Sequence, residues 1–174
     1  MNAIERVAAY MHEHTLVLVT AESCTAGLIA ATLADIPGAG ALLDCAFVTY
    51  SPRSKQQCLG VTSRTLQRHN LTSEAVAREM ALGAARNSAA NVSISNTGVT
   101  DDTDDEIPAG TQCYAWVFKS GPADASPTVY SETMRFTGDR NSIRRASAEH
   151  ALSRLVAYHA QWRKGDRPST NRSS

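Results

Sequence analysis

Ser23, Tyr50 and Lys55 are side chains of the types that hydrolysis of a carbonyl compound needs. Ser23 follows a short apolar run, Leu16 to Val19, and precedes small residues, so it falls where a buried strand would give way to a helix. A hydroxyl at such a junction stands outside the strand's carboxyl end and beside a positive helix terminus. There it can attack a carbonyl or hold an anion. It can equally cap the helix, as can Thr25. As a nucleophile Ser23 needs a base. Lys55 lies in the first turns of a helix predicted at 52–59, where the dipole and partial burial would push its pKa toward that of a usable neutral amine. A solvated lysine would keep its charge. Serine with lysine is a known nucleophile–base pair, but the spacing does not show that the two meet. Tyr50, at a strand end, can orient the lysine, stack on a ligand ring or pack half-buried.

A second group is Arg140, Arg144 and Arg145 at the start of the last predicted helix. Arginine opposes the dipole there, so helix stability does not account for it. A phosphate or carboxylate ligand would, and so would a solvated face paired with Asp139 and Glu149. The stretch 99–110 is the oddity of the chain, with five carboxylates at Asp101, Asp102, Asp104, Asp105 and Glu106.

The elements that must position these groups follow from periodicity and punctuation. Ile4, Val7, Ala8 and Met11 keep helical spacing, which predicts an amphipathic helix over 2–14. A strand then leads into a helix over 24–34, which Pro37 and the glycines around it stop. A strand over 45–50 precedes Ser51-Pro52, a cap followed by proline at the first helical position, and Gly60 closes that helix. Helices are predicted at 63–68 and from Ser73-Glu74 onward, the second with a small, flat face. A strand ends at Asn96-Thr97-Gly98. The runs 111–119 and 128–136 read as an antiparallel hairpin with Tyr130, Met134 and Phe136 on one face. Asp139 or Asn141 caps the last helix. Buried strands alternating with helices early, and a hairpin late, predict an α/β fold, a mixed sheet between two helical layers.

The 174 residues, 43% of them hydrophobic, suit one domain over 1–162, with a disordered tail over 163–174. Lysines plus arginines number 17 and so do the acids, so nothing points to nucleic acid or a membrane surface as partner. A small anionic ligand is compatible with that balance. Four cysteines without a C-x-x-C pair read as reduced, mostly buried thiols, and the five histidines lack ligand spacing, so no metal site is expected. No apolar run approaches the roughly 18 residues of a membrane span, and a cytoplasmic protein is expected. GAGALL at 38–43 lacks the third glycine of a dinucleotide loop and follows a helix, which rules that reading out.

Taken together, TAESCTAG at 20–27, DIPGAGA at 35–41, FVTYSPRSK at 47–55, LGV at 59–61, SEAVAREMALGA at 73–84 and TGDRNSIRR at 137–145 resemble the CinA carboxyl-terminal domain family. Its enzymatic members are nicotinamide mononucleotide deamidases. The resemblance covers nearly the whole chain. It implies a three-layer α/β/α sandwich, commonly self-associating as a homo-oligomer, that converts nicotinamide mononucleotide and water to nicotinic acid mononucleotide and ammonia without metal or organic cofactor. It implies Ser23 as nucleophile, Lys55 as its activator, Tyr50 beside them and Arg140 as a phosphate ligand. Thr25, Gly27, Thr97 and Gly98, in or beside the matching stretches, are expected at the substrate.

The departures cluster near those residues. The family's T-G-I-A-G-P-D-G-G turn is replaced here by TGVTDDTDDE, Ala26 replaces a glycine, and Gly40 stands where a serine is common. Carboxylates within a Debye length of about 8–10 Å would repel an anionic nucleotide. Two further functions therefore stand beside deamidation: a non-catalytic binding protein that kept the fold, and an amidase with a changed substrate lacking phosphate.

Overall fold

The computed structural model describes residues 1–121 and 123–168. Helix α1 spans Ala3–Glu13, opened by a reciprocal cap in which Asn2 Oδ1 accepts the Glu5 amide at 2.9 Å and Glu5 Oε2 accepts the Asn2 amide at 2.6 Å. The chain continues through β1 (Leu18–Glu22), α2 (Leu28–Ala34), a 3₁₀ turn at Ala39–Ala41, β2 (Leu43–Val48), α3 (Pro52–Leu59), α4 (Ser63–Arg68) and α5 (Glu74–Arg86). It ends with β3 (Val92–Gly98), β4 (Thr111–Phe118), β5 (Thr128–Arg135) and the long α6 (Arg140–Arg163). The sheet order is β2-β1-β3-β4-β5. β1 pairs in parallel with both β2 and β3, while β3–β4 and β4–β5 are antiparallel, so the sheet is mixed as the pattern predicts.

Alternate residues of the central strands feed two separate cores. Leu18, Ile94, Tyr114, Trp116 and Phe118 pack under α1, α2 and α6. Val19 and Ala21 face α3 and α5, and the small face of α5 (Ala77, Ala81, Ala85) lies flat on Cys113, Ala115 and Val117. The hairpin forms in the expected place. Tyr130 is buried beneath α6 and Phe136 packs against the same core, but Met134 on that face is exposed, because it lies toward the open end of an edge strand. Of the four cysteines, Cys24 and Cys113 are buried, Cys45 is half-buried and Cys58 is exposed.

Three boundaries differ from the sequence expectation, each for a local reason. β1 is Leu18–Glu22 rather than beginning at Leu16, because Thr15 takes a positive φ of 54° and the Leu16 amide bonds back to the Met11 carbonyl at 2.9 Å, closing α1. α2 begins at Leu28 instead of Cys24, since residues 23–27 form a tight turn. β2 is Leu43–Val48, two residues earlier than expected at either end, set by its register on β1. Part of the expected disordered tail, 169–174, lies outside the described residues. Arg163 is still helical, and the Tyr130 hydroxyl donates to the Asp166 carbonyl at 2.6 Å.

His159 is buried among Tyr10, Phe118 and Trp162, with Nδ1 at 2.9 Å from the Tyr10 hydroxyl. Burial, helped by the nearby charges of His14 and Arg163, pushes its pKa down to about 4. Between that value and the ordinary histidine value near 6.5, the unfolded chain binds a proton that the folded chain refuses. Stability from this residue is therefore present above about pH 6.5 and lost as pH falls toward 4, at up to about 1.4 kcal/mol per pH unit. Urea midpoints measured from pH 7 to pH 4 should fall in the wild type and fall less steeply in His159→Asn.

Candidate active site

β1 ends in a carboxylate that the sequence reading did not single out. Glu22 is fully buried and points along the sheet face covered by α2. Its Oε2 accepts the Thr25 hydroxyl at 2.7 Å and the amides of Gly27 and Ile29 at 2.9 and 3.0 Å, while Oε1 accepts the Ala30 amide at 3.0 Å. The charge thus sits at the positive end of α2 and does the work of a cap. Neither the Ser23 nor the Thr25 hydroxyl accepts an amide of that helix; the Leu28 amide bonds to the Thr25 carbonyl at 3.0 Å. Gly27 holds the N-cap position at a φ of 95°, a conformation glycine adopts without strain.

Asn96 on β3 grips the same turn from the other side. Its carbonyl accepts the Ser23 amide at 2.9 Å and its Oδ1 accepts the Thr25 amide at 3.0 Å. Its Nδ2 donates to Gln112 Oε1 at 2.9 Å and Ser147 Oγ at 3.2 Å. Arg144 completes the clamp, donating from Nε to the Cys24 carbonyl at 2.9 Å and from Nη2 to the Thr25 carbonyl at 3.2 Å. The amides of residues 23 and 25–30 therefore all have acceptors. Among the described residues, the Cys24 amide has none.

Lys55 enters from α3, whose predicted cap is present: Ser51 Oγ accepts the Ser54 amide at 3.1 Å and Pro52 is the first helical residue. The lysine is 1% exposed, and its Nζ lies 3.0 Å from Ser23 Oγ and 2.6 Å from the Thr49 carbonyl. No carboxylate pairs with it among the described residues. Burial alone lowers its pKa to about 8. A neutral amine here can donate to backbone carbonyls and still offer its lone pair to the serine proton. The serine and lysine singled out by type do meet.

Ser23, Lys55, Tyr50, Thr97 and Gly98 line one cavity of about 310 Å³, at the low end for small-molecule sites. Thr97 Oγ1 is held by the Leu71 carbonyl at 2.9 Å. A Cβ on Gly98 would come within 2.3 Å of Gln112 Oε1, so only glycine lets the buried Gln112 amide pass behind the wall. Thr25 and Gly27 do not line the cavity; the Thr25 hydroxyl and the Gly27 amide are held by Glu22 and the Thr25 amide by Asn96. Tyr50 is 57% exposed, and its hydroxyl accepts from Arg140 Nη2 at 3.2 Å. Arg140 Nη1 donates to Thr100 Oγ1 and Asp101 Oδ2, both at 2.7 Å. Arg145 is exposed, and Asp139 spends its carboxylate on the Ser142 amide as the cap of α6. The acidic loop borders the cavity. Asp104 accepts from Asn70 Nδ2 at 2.9 Å across it and from the amides of Glu106 and Ile107, contacts that hold its pKa below the usual carboxylate range.

With this geometry in view, the sequence matches the CinA C-terminal domain family over residues 2–159. The chain belongs to the CinA C-terminal domain family. It is 34% identical over 157 residues to the nicotinamide-nucleotide amidohydrolase PncC of Escherichia coli K12, an alignment covering 89% of this chain and 92% of that protein. A CinA-like protein of Akkermansia muciniphila is 36% identical over 152 residues, covering 86% of this chain. The chain spans about a third of the length of several such relatives, 35% in that instance. A crystal structure of the competence damage-inducible protein A from Klebsiella pneumoniae superimposes with a TM-score of 0.84 at 31% identity, covering 92% of this chain and 96% of that one. The α/β architecture is thus that of the CinA superfamily, and amidohydrolase is an activity named for its PncC members.

Sequence reasoning missed Glu22, Asn96 and Gln112, and it offered Arg144 for an anionic ligand or a solvated face, whereas its guanidinium holds the carbonyls of Cys24 and Thr25. Only Glu22 left a usable signal, a carboxylate directly before a helix N-terminus. Glu22→Gln would turn an acceptor oxygen into a donor facing amide donors. It should destabilise the fold by about 2–3 kcal/mol, read as a lower urea midpoint at unchanged m-value.

Proposed function

We propose that this CinA-family chain is an amidohydrolase that cleaves the carboxamide of a nicotinamide nucleotide through Ser23 and Lys55. The observation that carries this reading is the 3.0 Å contact between Ser23 Oγ and a buried Lys55 Nζ that has no carboxylate partner among the described residues. Ser23 Oγ attacks the carboxamide carbon while neutral Lys55 takes its proton. The negative charge on the former carbonyl oxygen is met by the Cys24 amide, the donor next to the nucleophile that the turn leaves free. Lys55 then returns the proton to the amide nitrogen, the C–N bond breaks and ammonia leaves. A water, deprotonated by Lys55, attacks the resulting ester and regenerates Ser23, releasing the nucleotide carboxylate. The scheme uses only side-chain and backbone groups.

In the same reading Thr97 and Gly98 form the cavity wall, and Thr25 and Gly27 act through Glu22 by fixing the turn. Arg140, steadied by the Tyr50 hydroxyl, lies beyond the rim where a phosphate would sit. The relatives named nicotinamide-nucleotide amidohydrolase support the substrate class.

Purified protein should release ammonia from nicotinamide mononucleotide, and Ser23→Ala should lose at least about a thousandfold in kcat/KM while keeping its thermal midpoint. Retention of activity in that variant would remove Ser23 from the mechanism. Because the neutral amine is the working form, kcat/KM should rise through pH of about 8 and level off above it. A profile flat from pH 6 to pH 10 would exclude Lys55 as the base.

A further inference from the structure

We infer that Asp101 is a specificity-determining residue that competes with a substrate phosphate for Arg140. The competition shifts the site toward the dephosphorylated nucleoside amide. This rests on the amidohydrolase reading of the cavity. Among the five carboxylates of the loop, Asp101 alone forms an ion pair in the described residues, its Oδ2 lying 2.7 Å from Arg140 Nη1. Thr100 Oγ1 is 3.0 Å from the same oxygen and 2.7 Å from the same guanidinium nitrogen, so three groups close one hydrogen-bonded cluster. The other guanidinium nitrogen contacts Tyr50, which lines the cavity with Ser23 and Lys55. The arginine tied to the cavity through Tyr50 therefore already holds an anion supplied by the chain itself.

The two cations bonded to the Ser23 turn do not replace it. Arg144 spends its Nε and Nη2 on the carbonyls of the nucleophile turn, and Lys55 is buried behind Ser23. A phosphomonoester carries about −1.5 to −2 charges at neutral pH. To reach Arg140 it must displace the Asp101 carboxylate, with Asp104 also facing the cavity. A nucleoside meets a neutral pair and displaces nothing. Two like charges about 5 Å apart near a protein surface repel enough to change an affinity by about tenfold.

Asp101→Asn keeps the side-chain shape and the Thr100 contact while removing the charge. For the nucleotide, KM should fall about tenfold at nearly constant kcat. The ratio of nucleotide to nucleoside kcat/KM should rise by the same factor, and added salt should narrow the difference between variant and wild type. An unchanged or higher nucleotide KM in Asp101→Asn would overturn the inference. Calorimetric binding of nicotinamide mononucleotide to Ser23→Ala and to Ser23→Ala/Asp101→Asn reads the same competition without turnover. Tighter binding by about tenfold in the double variant would support it even if the wild type released no ammonia, an outcome that would sink the amidohydrolase reading alone. Equal affinities, or binding by neither, would overturn the competition itself.

Discussion

The four hydrogen bonds to the Glu22 carboxylate fix the place from which everything else in the site is measured. A buried anion without partners would be very costly, and here each of its bonds is to a group whose position matters: the Thr25 hydroxyl and the Gly27 amide of the turn after β1, and two amides of α2. The charge therefore binds strand, turn and helix into one rigid unit, and the positive helix end returns part of the desolvation cost. Asn96 and Arg144 extend this unit to β3 and α6. Because these partners absorb the neighbouring amides and carbonyls, Ser23 Oγ is left to Lys55, and the amide of Cys24, a residue lining the cavity, is left without an acceptor among the described residues.

Lys55 illustrates the complementary constraint. It brings a potential charge into a place without a counter-ion among the described residues, and burial lowers its pKa to about 8. Thr49 and Ser23 satisfy its nitrogen geometrically, so the amine is held without being neutralised by a carboxylate. An acid placed beside it would raise its proton affinity and take away the lowered pKa on which the proposed role as a base rests.

Much of the frame was legible because it is written locally. Ser51-Pro52 and Gly60 delimit α3, Ser73 opens α5, Asp139 opens α6, and the alternation from Val92 gives β3. What was misread depended on distant partners. The start of α2 slipped from residue 24 to Leu28 because the cap is a carboxylate from the preceding strand, a role that hydroxyl-based cap rules do not anticipate. The Ser23–Lys55 meeting was suggested by residue type, yet it follows from β1 and β2 lying side by side, which no spacing encodes. Asn96 and Gln112 looked like ordinary strand polar residues until the sheet brought them under the turn.

The sheet order separates two kinds of work that one site must do. The groups proposed to make and break bonds, Ser23 and Lys55, come from the segments after β1 and β2 and share a buried hydrogen bond. The charges at the rim come mainly from the connection between β3 and β4, tied down by Asn70 at a half-buried position and by Arg140 at an exposed one. Mutations in that connection can redraw which molecules are admitted while leaving the reacting atoms undisturbed. The fold thereby leaves, beside a tightly bonded turn, a stretch of chain whose charge can change at little thermodynamic cost.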